Sequence, residues 1–150
     1  MIIKDLQASL VKWLQTEITA IKGAGISTTL EFINLDAHSN MIDQVPSKDL
    51  LGLLGFALTG DGQMHEGTVS FAVMTYEDMN LFKHNEILAR LYEKLQPGKR
   101  LPIYDATTGV VNSWMIISDE VNVTPVGRAE VRSIQLIQIV FQVNPKGAVP

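Results

Sequence analysis

From Glu130 to Asn144 the chain reads EVRSIQLIQIVFQVN, and its second half alternates cleanly. Ile137, Ile139, Phe141 and Val143 fall on one face, Gln138 and Gln142 on the other. A period of two predicts a β-strand with one buried and one wetter face. Asn144-Pro145 ends it. The strand is long for a domain of this size and comes late in the chain. The pattern therefore predicts a sheet edge offered to a neighbour, because a long edge without a partner invites aggregation.

The remaining pattern predicts two helices and several strands. Ile3, Leu6, Leu10, Trp13 (with Leu14), Ile18 and Ile21 recur mostly at three- and four-residue steps, the stripe of an amphipathic helix, with Gly23 and Gly25 as its stop. TLEFINL, Thr29 to Leu35, reads as a first strand, and polar Asp36 to Lys48, with Pro46, as a loop. LLGLLGFALT, Leu50 to Thr59, is apolar on both faces and carries two glycines that disfavour a helix, so it suits a buried strand. GDGQMHEG, Gly60 to Gly67, reads as a loop, and TVSFAVMT, Thr68 to Thr75, as the returning strand of a hairpin. Asp78 is placed to cap a second helix reaching about Leu95, with the stripe Leu81, His84 or Asn85, Leu88, Leu91 (with Tyr92) and Leu95, ended by Pro97-Gly98. A short strand, Leu101 to Tyr104, and a turn, DATTG, follow. Two last strands, Trp114 to Val123 and Val131 to Val143, are joined by a connection containing Thr124-Pro125-Val126-Gly127.

The order α-β-β-β-α-β-β-β, with strands in adjacent pairs, predicts an α+β fold: a mixed, mainly antiparallel β-sheet or sandwich flanked by two amphipathic helices. One domain over residues 1–150 is expected, with 145–150 a flexible tail.

Composition narrows the function classes. With 46% hydrophobic and 19% charged residues, the balance is globular rather than disordered. A net charge of −4 argues against nucleic-acid binding through overall charge and leaves a local basic patch open. The absence of cysteine removes disulfides, thiolate metal sites and thiol nucleophiles, and is compatible with a reducing cytoplasm. The first residues, MIIKDLQASLVKWLQ, carry Lys4, Asp5 and Lys12 and lack the apolar core of a signal peptide. Leu50 to Leu58 is the most apolar window, far short of the roughly 20 residues of a membrane span. A soluble protein made inside the cell is expected.

No residue set forms a catalytic signature. His38 lies near Asp36 and Asp43, which suggests a metal site, yet without ligand spacing the preferred reading is a solvated loop. His65 beside Glu66 reads as hairpin tip, and His84 as a helix-surface or interface histidine. Gly60-Asp61-Gly62 lacks the rest of a phosphate-loop fingerprint. Ser118-Asp119 and Ser133 lack a nucleophile-elbow context. Glu77 and Asp78 read as the start of a helix, where the dipole favours negative charge, and Glu93 and Lys94 as solvated surface. Lys99, Arg100, Arg128 and Arg132 are either a basic patch or strand-end ion pairs with Asp105, Asp119, Glu120 and Glu130, the second being preferred. Trp13 and Trp114 read as core or interface anchors.

The N-terminal amphipathic helix, HNEILARLYEKLQPG (His84 to Gly98), VTPVGRAEVRSIQLIQIVFQVN (Val123 to Asn144) and the order of elements together resemble the tail terminator proteins of tailed bacteriophages. The resemblance covers most of the chain in layout and brings no active-site motif. It implies a non-enzymatic virion protein, made in the bacterial host cytoplasm, that forms a hexameric ring at the head-proximal end of the tail tube. Such a ring ends tube growth and offers a surface to the head–tail connector or neck protein. DNA passes through the lumen without sequence-specific binding, for which a mildly acidic subunit is suited. No cofactor, metal or membrane is implied. Asp36 to Lys48 and Gly60 to Gly67 depart from the family and read as assembly loops. The residues expected at assembly surfaces are Asp61, Gln63, His65, Arg100, Trp114, Arg128 and Arg132. The alternatives are another neck or tail-completion subunit, a small α+β enzyme or ligand-binding module using Asp36, His38 and Asp43, and a DNA-binding module using the basic residues.

Overall fold

The computed structural model describes residues 2–34, 48–60, 65–78, 81–129 and 132–143. Helix α1 (Ile2–Gly23) is followed by strands β1 (Glu31–Asn34), β2 (Leu50–Gly60) and β3 (His65–Tyr76). Helix α2 (Phe82–Lys94) follows, and then β4 (Arg100–Tyr104), β5 (Val111–Ile117), β6 (Asn122–Ala129) and β7 (Arg132–Val143). The seven described strands form one branched sheet in the order β1-β2-β3-β7-β5-β4, with β6 also on β7. Only β1 and β2 pair in parallel. The fold is α+β, mainly antiparallel, with two helices, as the order of elements implies.

The long strand β7 lies inside the sheet, not at its edge. One side pairs with β3 from Tyr76↔Arg132 to His65↔Val143. The other side is shared: β6 takes Arg132 to Gln138, and β5 takes Phe141 to Val143. Its length follows from serving two short strands on one side. Ile137, Ile139, Phe141 and Val143 are all fully buried, so the alternation is right and the edge expectation is corrected. The segment Trp114 to Val123 is also two elements, because β5 stops at Ile117 and exposed Ser118 to Glu120 intervene before β6. Thr124-Pro125-Val126-Gly127 lies within β6 rather than in a connection. Proline is tolerated because β6 is an outer strand and its register shifts between Pro125 and Gly127.

The hairpin of β2 and β3 extends further than the pattern implies. Gly60 belongs to β2 and His65 to Gly67 belong to β3, so the loop read at 60–67 is shorter, and 61–64 lie outside the described residues. A register shift between Leu53 and Phe56 holds Gly55 at φ 74, a left-handed conformation that glycine adopts without strain.

Both helices cover the same face of the sheet. Leu6, Leu10, Leu14, Ile18 and Ile21 from α1 and Ile87 and Leu91 from α2, with Leu95 just beyond it, share one core with Val69, Phe71, Val73, Ile137, Ile139 and Phe141. Ile3 leaves the predicted stripe and is exposed. A smaller cluster of Ile33, Leu50, Ala72 and Met74, with Ile134 and Leu136 against it, occupies the opposite face, which explains why the first half of β2 is apolar on both sides.

Two buried polar groups and one exposed lysine on α1 fix its position. Asp5 Oδ1 accepts from the Ala106 N–H (2.9 Å), and Ser9 Oγ from the Tyr104 N–H (2.8 Å). Lys12 Nζ sits 3.8 Å over the Tyr104 ring. The helix is thereby pinned on β4 and the turn after it. That turn is folded by Asp105 Oδ1, which accepts from the N–H groups of Thr107 and Thr108.

Candidate functional site

Where the middle of α1 and the last turns of α2 meet the start of β4, they enclose a cleft of about 520 Å³ lined by Trp13, Glu17, Arg90, Glu93, Lys94, Lys99, Arg100 and Leu101. The amphipathic stripes build it. Burying Leu14 and Ile18 carries Glu17 inward, and burying Leu91 and Leu95 places Arg90 and Lys94 on the facing edge. The Glu17 carboxylate is only 4% exposed, and the Lys94 ammonium bonds to both its oxygens, at 2.9 Å on Oε2. Arg90 Nε is 3.9 Å from Glu17 Oε2, too far for a hydrogen bond, and is buried without an acceptor. Among the described residues, Lys99 and Arg100 form no ion pair. Trp13, half-buried against Phe71 with ring centroids 5.7 Å apart, forms the apolar wall with Leu101.

Lys94 is therefore not merely solvated surface; it neutralises a buried acid on the other helix. The expected pairing of Arg100 with acidic strand ends is likewise absent among the described residues, where Asp119 Oδ1 instead accepts from the Glu120 N–H.

A second polar group lies where β2, β3, β7 and α2 converge. Asp49, 1% exposed, accepts from Ser27 Oγ (2.5 Å) and the Tyr76 N–H (2.8 Å), and pairs with Lys83 (3.0 Å). Next to it, His84 is buried, with Nδ1 3.0 Å from Thr75 Oγ1 and Nε2 2.7 Å from Gln135 Oε1. This corrects the surface reading of His84. The Asp78 carboxylate accepts from the His84 N–H (2.7 Å) and turns the ring toward the sheet. The network is saturated by its own members and reads as structural.

The residues expected at assembly surfaces do not converge. Arg100 stands opposite Ile116, which pairs with Gln142 of β7, whereas Arg128 pairs with Ser133 at the other end of that strand. Gln142 and Ser133 are separated by about 30 Å at a strand rise of about 3.3 Å per residue. The four late cations are not one patch. His65 pairs with Val143, near the Arg100 end. Trp114 is half-buried on β5 opposite Pro102 and does not line the cleft. Asp61 and Gln63, and the alternative trio Asp36, His38 and Asp43, lie outside the described residues. Among the described residues no three histidine or acidic side chains converge as metal ligands, and no helix is long and apolar enough to cross a membrane.

Among the described residues the sheet has three outer strands, each blunted differently. β1 is four residues long, β4 carries Pro102, and β6 carries Pro125 and a register shift. Among the described residues, β5 from Val111 to Trp114 has no partner on the side that faces β7, and part of β2 has none on its outer side. β1 covers β2 only from Leu50 to Leu53, so the outer edge of β2 from Phe56 to Gly60 has no partner strand among the described residues, and Leu54 beside it is 40% exposed.

No protein-family model matches the chain, and no curated protein is similar to it. Nine solved chains are similar to this one, among them a protein without a functional name. The TM-score is 0.44 at 13% identity, over 69% of this chain and 70% of that one.

Proposed function

We propose that this chain is a structural virion protein that caps the head-proximal end of a bacteriophage tail tube as a ring, ending polymerisation and offering a surface for head attachment. The observation that carries the reading is the outer edge of β2 past Leu53, which has no partner strand among the described residues. A closed ring needs two unlike faces that meet head to tail after a fixed rotation. An unpaired strand edge supplies one such face, since its free N–H and C=O groups accept a neighbouring backbone. The other outer strands are short or carry proline, which directs strand pairing to this edge. The element order and the segments His84 to Gly98 and Val123 to Asn144, which resemble tail terminators, support the same reading. The partners are then copies of the chain, the tail tube protein and the connector or neck protein. The chemistry is shape-matched contact rather than catalysis.

Native mass spectrometry with negative-stain imaging tests it. The expected result is a hexameric ring, formed alone or on addition of tail tubes. A persistent monomer in both conditions would overturn the proposal. Co-sedimentation with isolated tubes rather than isolated heads separates a terminator from another neck or tail-completion subunit.

A further inference from the structure

We propose that the cleft between α1, α2 and β4 binds a phosphate monoester carried on a flat apolar body, the chemistry of a nucleoside monophosphate. The inference is independent of the ring reading. Four cations line the cleft, Arg90, Lys94, Lys99 and Arg100, against two carboxylates, Glu17 and Glu93. The lining thus carries a net +2. Glu17 is committed to Lys94, and Glu93 is exposed. Arg90 also lies at ion-pair distance from Glu17, so the charge left for a guest lies on Lys99 and Arg100.

Arg90 adds positive charge beneath the cleft surface, its Nε buried 3.9 Å from Glu17 Oε2. The Arg100 guanidinium and the Lys99 ammonium line the cleft on exposed residues, outside any ion pair among the described residues, and suit an oxyanion with several acceptor oxygens. A phosphate monoester bears about −1.5 to −2 near neutral pH, matching the lining, whereas a carboxylate or a phosphodiester brings only one charge. The remaining wall, Trp13 and Leu101, is apolar and offers an indole for a planar group to rest on. The volume falls within the roughly 300–1,000 Å³ of small-molecule sites.

Isothermal titration of the full chain with inorganic phosphate, adenosine monophosphate and adenosine tests the inference. Adenosine monophosphate should bind at least about tenfold more tightly than phosphate, a gain of about 1.4 kcal/mol from the apolar wall, and adenosine should give no heat. The double variant Lys99→Glu/Arg100→Glu alters two exposed side chains. It should weaken the monophosphate by at least about tenfold while leaving the melting temperature unchanged. Adenosine binding as well as its monophosphate, undiminished binding by the double variant, or no heat at millimolar monophosphate would each overturn it. Tighter binding of a single-stranded oligonucleotide than of the mononucleotide would also overturn it, in favour of a backbone-tracking surface.

Discussion

The Lys83 ammonium lies 3.0 Å from Oδ2 of Asp49, joining the second residue of α2 to the residue just before β2. The same carboxylate receives Ser27 and the backbone of Tyr76, so one buried acid ties together the approach to β1, the end of β3 and the start of α2. Asp49→Ala strands a half-buried ammonium and three further donors, Ser27, Thr29 and the Tyr76 N–H. It should cost about 3–5 kcal/mol, the range for breaking a buried pair from one side. Lys83→Met leaves the other donors on the carboxylate and should cost about 1–2 kcal/mol. Urea unfolding of both variants measures the difference; equal losses would mean that Lys83, not the network, holds Asp49.

His84 and Gln135 meet across the helix–sheet boundary. With Nε2–H donating to Gln135 Oε1, Nδ1 accepts from the Thr75 hydroxyl, and both ring nitrogens have a partner. His84→Ala and Gln135→Ala should therefore be strongly non-additive, with a coupling energy of about 1 kcal/mol or more, as contacting pairs in one network show. A double-mutant cycle by denaturant titration reads this directly. Additivity within about 0.3 kcal/mol would mean the two side chains act separately.

Periodicity made the faces legible and left the edges illegible. The stripe from Leu6 to Ile21 and the alternation from Val69 to Val73 and from Ile137 to Val143 name the core nearly residue by residue. Alternation reports which face of a strand is buried, however, and carries nothing about which of its two hydrogen-bonding sides is occupied. That is why β7 read as an edge when it sits between β3 on one side and β5 and β6 on the other. The cleft was partly visible. Arg100 stood out as a cation, but Glu17 was missed, although a carboxylate three residues after Leu14 and one before Ile18 sits on the apolar stripe and must be buried with a partner. Arg128 and Arg132 looked close to Arg100 because they are close to the same late strands. The antiparallel run of β7 puts them at its opposite end.

Gly67 has a steric reason for lacking a side chain. A Cβ there would lie 2.3 Å from the Ala57 carbonyl oxygen and 2.9 Å from Cζ of Phe141. The backbone of β2 cannot yield without breaking its pairing with β3. Gly67→Ala should cost about 2–3 kcal/mol, at the upper end of overpacking. Gly23→Ala, at the end of α1 with open space around it, should be neutral or stabilising by up to about 1 kcal/mol. Thermal melts of the two variants give the contrast.

The β2 edge past Leu53 has no partner strand among the described residues and puts the assembly proposal to a test. If lateral contacts use the backbone from Phe56 to Gly60, charges beside that edge should abolish them, because lysine on an exposed strand opposes pairing with another chain. Leu54 and Thr59 are both exposed, so Leu54→Lys/Thr59→Lys removes little packing and should leave the melting temperature within a few degrees. The matched control is Thr124→Lys on β6, an exposed residue of a strand already blunted by Pro125. Size-exclusion chromatography with light scattering should find the β2 variant monomeric and the β6 variant assembled like the parent chain. Rings surviving in the β2 variant would remove the edge from the interface, and loss of rings only in the β6 variant would move the contact to the opposite branch of the sheet.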